Sequence, residues 1–326
     1  MKLLVNSFLA VTLFAASAAH AQNPTAGYPS RSVKLIVPLY AGGAADIIGR
    51  TVADGLAKLW GVPVIVDNKP GAGSNVGVEA LARSAPDGYT IGQINVASHS
   101  INPALQKGKV PFDPIKDFEP ILMLAISTNL VVVNPQKIPV NSIAELVAFL
   151  KKNPGKFSYS SAGVGTTLHL GMELFKDATG TDVLHVPYST GAARTADLLT
   201  GRVDMTMDVA ANIWQYIESG KLRALAVVSS QRASFAPELP TVAETYPSVQ
   251  IMAWHAIAAP AGTPKVVVDK ISADVQRVIR SPEVQAKLKQ NYLVPSSMNP
   301  GELKTFIVAD MARWARAVEK SGATAN

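Results

Sequence analysis

Two short glycine loops stand out for the chemistry they could do: "YAGGAAD" at residues 40–46 and "SAGVGTT" at 161–167. Each follows an apolar run and precedes a helical period, so each delivers the start of a helix. The first turn of a helix leaves about four N–H groups without intrahelical partners and carries partial positive charge. A glycine ahead of it lets an anion come close to those amides. "YSTGAART" at 188–195 has the same form and is a third candidate. Ser160, Ser161, Thr166 and Thr167 add short hydroxyl donors, which suit a carboxylate without placing a full counter-charge beside it. The same loops also serve as plain strand-to-helix turns in any α/β protein, so their joint presence carries the reading.

Catalytic chemistry fits these residues less well. "GVGTTL" has a leucine where a dinucleotide fingerprint needs its third glycine, and "GAGSNVG" has one residue too many. No glycine loop ends in the Lys-Ser/Thr pair of a phosphate-binding loop. A nucleophile elbow needs glycine two residues before the serine, but Tyr159 stands there ahead of Ser161. His99, His169, His185 and His255 lie far apart, and His169 with Glu173 is a single i,i+4 pair, so no metal site is expected. His169 reads as a first-turn residue bonded to loop carbonyls, with a catalytic base as the alternative. His99, in "SHSINPAL" with Ser98, fits either role. Asp46 with Arg50 four residues on reads as an exposed helix pair. Trp254 is expected either on the floor of a cleft or in a core that needs no ligand.

The elements that must position these loops repeat one grammar of apolar run, glycine or hydroxyl loop, and helical period. Residues 32–37 lead into a helix over 45–59, and 62–66 lead through "DNKPGAGSNVG" into 78–84. A strand over 90–95 opens into "VASHSINPAL". Strands alternating with helices predict α/β lobes with mainly parallel sheets and ligand loops at the strands' C-terminal ends. "ILMLAISTNLVVVNP" is too long for one ordinary strand and reads as two meeting at 126–129, a crossing between lobes. "NSIAELVAFLKKNPG" starts with Ser142 and Glu145 in capping-box spacing. "VQIMAWHAIAAPAGTP" returns the chain, and helices over 266–280, 282–290 and 302–320 finish it. The expected division is 22–125 plus 250–326 for one lobe and 126–249 for the other.

The chain has 326 residues, 48% of them hydrophobic, enough for one large or two medium cores. Residues 1–21, with Lys2, an apolar run over 8–16, and Ala19 and Ala21 around His20, predict a secretory signal cut after Ala21. Its run is too short to span a membrane, and no other stretch of ~18 apolar residues follows. The mature chain is therefore expected in the periplasm, free of a lipid anchor because cysteine is absent. The net charge of +6 becomes +6 − 1 = +5 once Lys2 is removed. Lys and Arg are scattered without interleaved aromatics, which argues against nucleic acid as a partner. A mild positive field suits acidic solutes.

"YPSRSVKLIVPLYAGGAADIIGR", "VIVDNKPGAGSNVGVEALARSAPDGYT", "INPAL", "DFEPI", "NPGKFSYSSAGVGTTLHLGMELF", "VPYSTGAARTADLLTGRVDMTMD", "GKLRALAV" and "APAGTP" resemble, in this order and over nearly all of the mature chain, the Bug-type solute receptors of tripartite tricarboxylate transporters. The resemblance implies a two-lobed periplasmic binding protein fold, type II-like, that closes over a small organic acid, with an aromatic acid or a dicarboxylate as the expected ligand, without a cofactor. It also implies delivery to a two-subunit inner-membrane permease, or service to a sensor. Carried over by position, the carboxylate role falls to Gly42 and Gly43 in one lobe and to Ser161, Ala162, Gly163, Gly165, Thr166 and Thr167 in the other. Tyr188 and Thr190 would border the site with Asp208 near its distal end, and Tyr40, Ala44, Ser98 and His169 complete the expected set. The chain departs from the family at Leu39 and Tyr40, at Ala44 and Ala45, at "VPYSTG", and at His255 after the tryptophan. These departures imply a less polar pocket with extra ring surface, leaning toward an aromatic or hydrophobic acid.

Three readings stay in competition. A carboxylate receptor, expected as a monomer, predicts saturable binding without turnover. A secreted hydrolase of a small acid ester would use His169 or His99 with a serine. An interaction protein would bind no small acid.

Overall fold

A computed structural model describes residues 27–324, and the predicted signal at 1–21 lies outside them. The chain begins with β1 (Val33–Val37), α1 (Ala44–Trp60), β2 (Val64–Asn68), α2 (Asn75–Ala82), β3 (Thr90–Asn95) and the short α3 (Asn102–Leu105). β4 (Phe118–Ser127) is followed after one residue by β5 (Asn129–Val133), then α4 (Ile143–Lys151), β6 (Ser158–Ser161) and α5 (Thr167–Thr179). Next come β7 (Leu184–Pro187), α6 (Gly191–Thr200), β8 (Met205–Val209), α7 (Ala210–Glu218) and β9 (Arg223–Val227). The chain ends with β10 (Ala253–Pro260), α8 (Lys265–Ile279), α9 (Pro282–Gln290), β11 (Leu293–Pro295) and α10 (Pro300–Ser321). Among the described residues no helix is long and apolar enough to cross a membrane.

The strands form two sheets, ordered β11-β4-β10-β3-β1-β2 and β7-β6-β8-β5-β9. Both are mixed, which corrects the expectation of mainly parallel sheets. β1 runs parallel to β2 and β3, but β10 is antiparallel to β3 and β4, and β11 to β4. In the second sheet β6 is parallel to β7 and β8, while β5 opposes β8 and β9. The reason lies in the crossings. β5 and β10 enter their sheets from the side where β1, β3, β6 and β8 end, so they must run against those strands. Ser127 pairs with Ala253 where the chain leaves and re-enters the first sheet. At the second sheet's edge of the same crossing, Val228 N–H donates to the Asn129 carbonyl at 2.9 Å.

Helix α1 carries Ile48, Val52 and Leu56 at a spacing of four, which puts all three in the core against β1. It stops at Gly61, whose left-handed φ of 70° suits a residue without Cβ. Helix α4 shows only half of the expected capping box. Ser142 Oγ accepts from Glu145 N–H at 3.1 Å, but the Glu145 carboxylate turns to the amide of Asn141 instead. After β3 the segment Ala97–Ile101 forms a wide π turn before α3. A continuous apolar cluster passes from Ile94 and Trp254 to Val131, Met205 and Phe175, so the two sheets share a core beneath the crossing.

Helix α2 sits so close to the end of β1 that a Cβ on Gly77 would lie 2.7 Å from both the Lys69 carbonyl oxygen and the Pro38 Cα. Both are backbone atoms that cannot swing aside. Gly77→Ala is expected to lower stability by about 1–3 kcal/mol, read as a lower urea midpoint at unchanged slope.

Candidate functional site

The C-terminal ends of β1, β3, β6 and β8 face one another across the crossing, and a cavity of about 290 Å³ lies between them. One wall is Leu39, Gly43, Ala44 and Ala45, with Gly73 and Ser74 beside it. The other is Thr166, Thr167, Leu168 and Val209, and the crossing strands add Ser127, Asn129, Ala253 and His255. Among the described residues no Lys, Arg, Asp or Glu lines it. A groove of about 580 Å³ between α1, α8 and α9 is roomier and is lined by charged side chains, among them Lys58 paired with Glu283 at 3.0 Å and Lys287 with Asp54 at 3.8 Å.

Helix starts from both sheets reach this cavity. Gly43 is the N-cap of α1 and no side chain caps it, so the first-turn amides at Ala44 and Ala45 lie where the cavity is lined. Thr166 is the N-cap of α5; its Oγ1 accepts from His169 N–H at 3.4 Å and donates to the Gly163 carbonyl at 2.8 Å. Thr167 and Leu168, the next residues, are in the wall. Helix α7 starts behind Val209, also without a side-chain cap. The lobe-facing amides thus supply the positive end of the site.

Neighbouring groups hold these loops in place. Asp46 is only 4% exposed, not the exposed pair expected from its spacing. Its carboxylate accepts from Gly42 N–H at 2.9 Å, Arg50 Nε at 3.0 Å and Asn68 Nδ2 at 3.0 Å. Burial alone would raise its pKa, but these bonds together bring it below the ordinary carboxylate value. The amide of Gly42 is therefore spent on the scaffold. Beneath the second loop, Gly165 N–H donates to His169 Nδ1 at 3.1 Å, so His169 accepts from a loop amide and does not serve loop carbonyls. His169 stacks on His185 with centroids 4.2 Å apart, and Tyr159 stacks on His185 at 4.9 Å. Gly163 at φ +115° and Gly165 at φ +76° make the loop's turns, and a Cβ on Gly165 would meet Leu105 of α3 at 2.7 Å.

Of the residues expected from sequence, the structure brings Gly43, Ala44, Thr166 and Thr167 into the cavity wall. The others lie elsewhere for identifiable reasons. Tyr40 is 76% exposed, and Ala162 is exposed on the loop crest. Ser98 is buried, with its N–H on Asn95 Oδ1 at 3.0 Å. Ser161 Oγ lies 2.7 Å from His185 Nε2 and Ser98 Oγ lies 2.9 Å from His99 Nδ1, and both serines are fully buried. Tyr188 donates to Asp197 at 2.8 Å, and Thr190 is an exposed cap of α6, which leaves the third glycine loop outside the cavity. Asp208 does not stand open at a distal end: its Oδ2 takes Arg194 Nη2 at 2.7 Å and Nε at 3.0 Å, and its Oδ1 takes the Val209 amide at 2.7 Å.

His99 is core, packed on Phe118 at 4.8 Å and Phe112 at 5.9 Å, and burial pushes its pKa down to about 3. Trp254 is also core, donating to Asp310 at 2.9 Å. Sequence reasoning passed over Asn129, Ser127, Ser74 and Asn95 and valued His255 only for its ring. The available signal was polarity in the wrong place: "STN" interrupts an otherwise apolar run that had to be buried. Among the described residues no group of His, Asp or Glu is placed to hold a metal ion.

Residues 48–323 match the family model described as "Tripartite tricarboxylate transporter family receptor". The protein BugT of Bordetella pertussis is 32% identical over 298 residues, covering 91% of each chain. Among solved structures, Rpa4515 of R. palustris with adipate superposes with a TM-score of 0.78 at 31% identity, covering 91% of this chain and 99% of that one. The periplasmic binding protein BugD superposes at 0.75 with 35% identity and the same coverage.

Two predictions follow from this geometry. Asp208→Ala leaves the guanidinium of Arg194 buried and unpaired, and is expected to cost about 3–5 kcal/mol in urea unfolding. His185 and His255 are pushed down to about 4, each chiefly by burial, so the native state resists a proton that the unfolded chain accepts near 6.5. Stability is then full above about pH 6.5 and falls as pH drops toward 4. A melting-temperature profile that stays flat over that window would contradict the assignment.

Proposed function

The chain belongs to the tripartite tricarboxylate transporter receptor family, and from that premise we propose that it captures a small organic carboxylate in the cavity between its sheets. The observation that carries this reading is the convergence of the uncapped α1 start and the α5 start, from different sheets, on one cavity that no charged side chain lines. Two sets of free amides can hold one carboxylate only when both walls are present, so the ligand stabilises the closed arrangement. The relative crystallised with adipate supports an acid as ligand. The apolar remainder of the wall, Leu39, Val96, Leu168 and Val209, favours a hydrophobic or aromatic body on that acid.

The proposed lobes are 22–125 with 250–326 and 126–249, hinged where β4 gives way to β5 and where the chain returns before β10. The protein would act in the periplasm after removal of residues 1–21, as a monomer with its cleft rim free. It would hand its ligand to a two-subunit membrane permease or present it to a sensor. It works as a receptor and not a catalyst, since an anion clamp needs preorganised donors and no nucleophile.

Calorimetric titration of the chain from Gln22 onward with aliphatic and aromatic mono- and dicarboxylates tests this. Saturable one-to-one binding of at least one acid, recovered unchanged after long incubation, is expected. Absence of binding across the set, or conversion of the ligand, overturns the proposal.

A further inference from the structure

Asn129 opens β5 at the crossing and is 1% exposed. Its backbone is fixed, with the carbonyl accepting from Val228 N–H at 2.9 Å and the residue in register with Val209. Its side chain is not: neither Nδ2 nor Oδ1 has a partner among the described residues, although Asn129 belongs to the cavity lining. His255, on β10 of the other sheet, lines the same cavity. Its Nε2 is 3.1 Å from Ser127 Oγ, and its Nδ1 is also unpartnered. A buried polar atom left without a hydrogen bond costs free energy that folding alone does not recover. Ten buried side-chain atoms among the described residues lack a partner, and these three are the ones whose residues line the cavity, which points to a ligand that brings their partners.

The chemistry of the amide narrows what that ligand carries. A primary amide presents a donor and an acceptor side by side, so its complement must both accept and donate. This holds whichever way the amide is turned. A hydroxyl or a carboxamide meets the requirement. A second carboxylate does not, because it only accepts, sets its charge against Oδ1, and finds no cation in the lining. Arg194, the buried cation of the second sheet, is already committed to Asp208. We propose that Asn129, with His255 beside it, is the specificity determinant of the cavity, and that the ligand is a carboxylic acid bearing one further, uncharged hydrogen-bonding group, a hydroxyl or a carboxamide. This rests on the carboxylate reading and adds to it the class of acid.

The experiment is a calorimetric comparison of matched acids on the chain from Gln22 onward: succinate against its half-amide succinamate, glutarate against glutaramate, and benzoate against its hydroxy derivatives. The half-amide or hydroxy acid of at least one pair is expected to bind about tenfold tighter than its diacid or unsubstituted partner, equivalent to about 1.4 kcal/mol. In Asn129→Leu that ratio falls to within about twofold of one. Should Asn129→Leu fail to fold by circular dichroism, Asn129→Ser and His255→Phe are read in the same way, each lowering the ratio. Equal or tighter binding of the diacids by the unmodified chain overturns the inference while leaving the carboxylate site standing, as does a ratio unmoved by the substitutions. No binding by any of these acids overturns both.

Discussion

Backbone amides at the start of a helix have no partner within the helix, and this fold brings such starts from two different sheets to one cavity. Everything around the cavity can be understood as a way of keeping those amides fixed, unspent and facing one another. The mixed sheets follow from it. For helices of both lobes to begin at the same place, strands must end there from both sides, and the chain has to pass between sheets through that place. β4 with β5, and β10 on the return, are those passages, and they run against their neighbours for that reason.

The loops themselves are held by groups that never reach the cavity. Asp46 takes the amide of Gly42 and leaves those of the α1 start alone, so a built-in anion fixes the loop without filling the site. On the opposite wall, a stack of Tyr159, His185 and His169 carries the glycine turn from below. A neutral His169 suits this place, because only an unprotonated Nδ1 can accept the Gly165 amide. Close backbone approach finishes the arrangement, with Gly77 fitting α2 against the end of β1. Among the described residues no charged side chain lines the cavity, and the lining includes Asn129, whose side chain has no partner.

Much of this was legible in the order of residues. The alternation of apolar runs and helical periods located nearly every element, and "ILMLAISTNLVVVNP" disclosed the crossing because no single strand is that long. Both glycine loops contribute to the cavity lining, through Gly43 and Ala44 and through Thr166 and Thr167. What was not legible is which atoms a loop spends on itself. Gly42 and Ser161 look available in sequence, yet Asp46 and His185 have claimed them: the first partner lies only four residues on but folds back on the loop instead of facing solvent, and the second comes from the neighbouring strand β7. The pairing of Asp208 with Arg194 likewise depends on how α6 lies over β8. Asn129 is not legible as a site residue because a short polar break such as "STN" in an apolar run reads equally as the junction of two strands until the cavity is seen beside it.

The central claim is that one carboxylate is shared between the α1 and α5 starts. Amide NMR of the chain from Gln22 onward, titrated with an acid that binds, addresses it directly. The account predicts that the N–H signals of Ala44, Ala45, Thr167 and Leu168 move together with a single saturation midpoint. Movement confined to one wall, or centred on the groove between α1, α8 and α9, would contradict it.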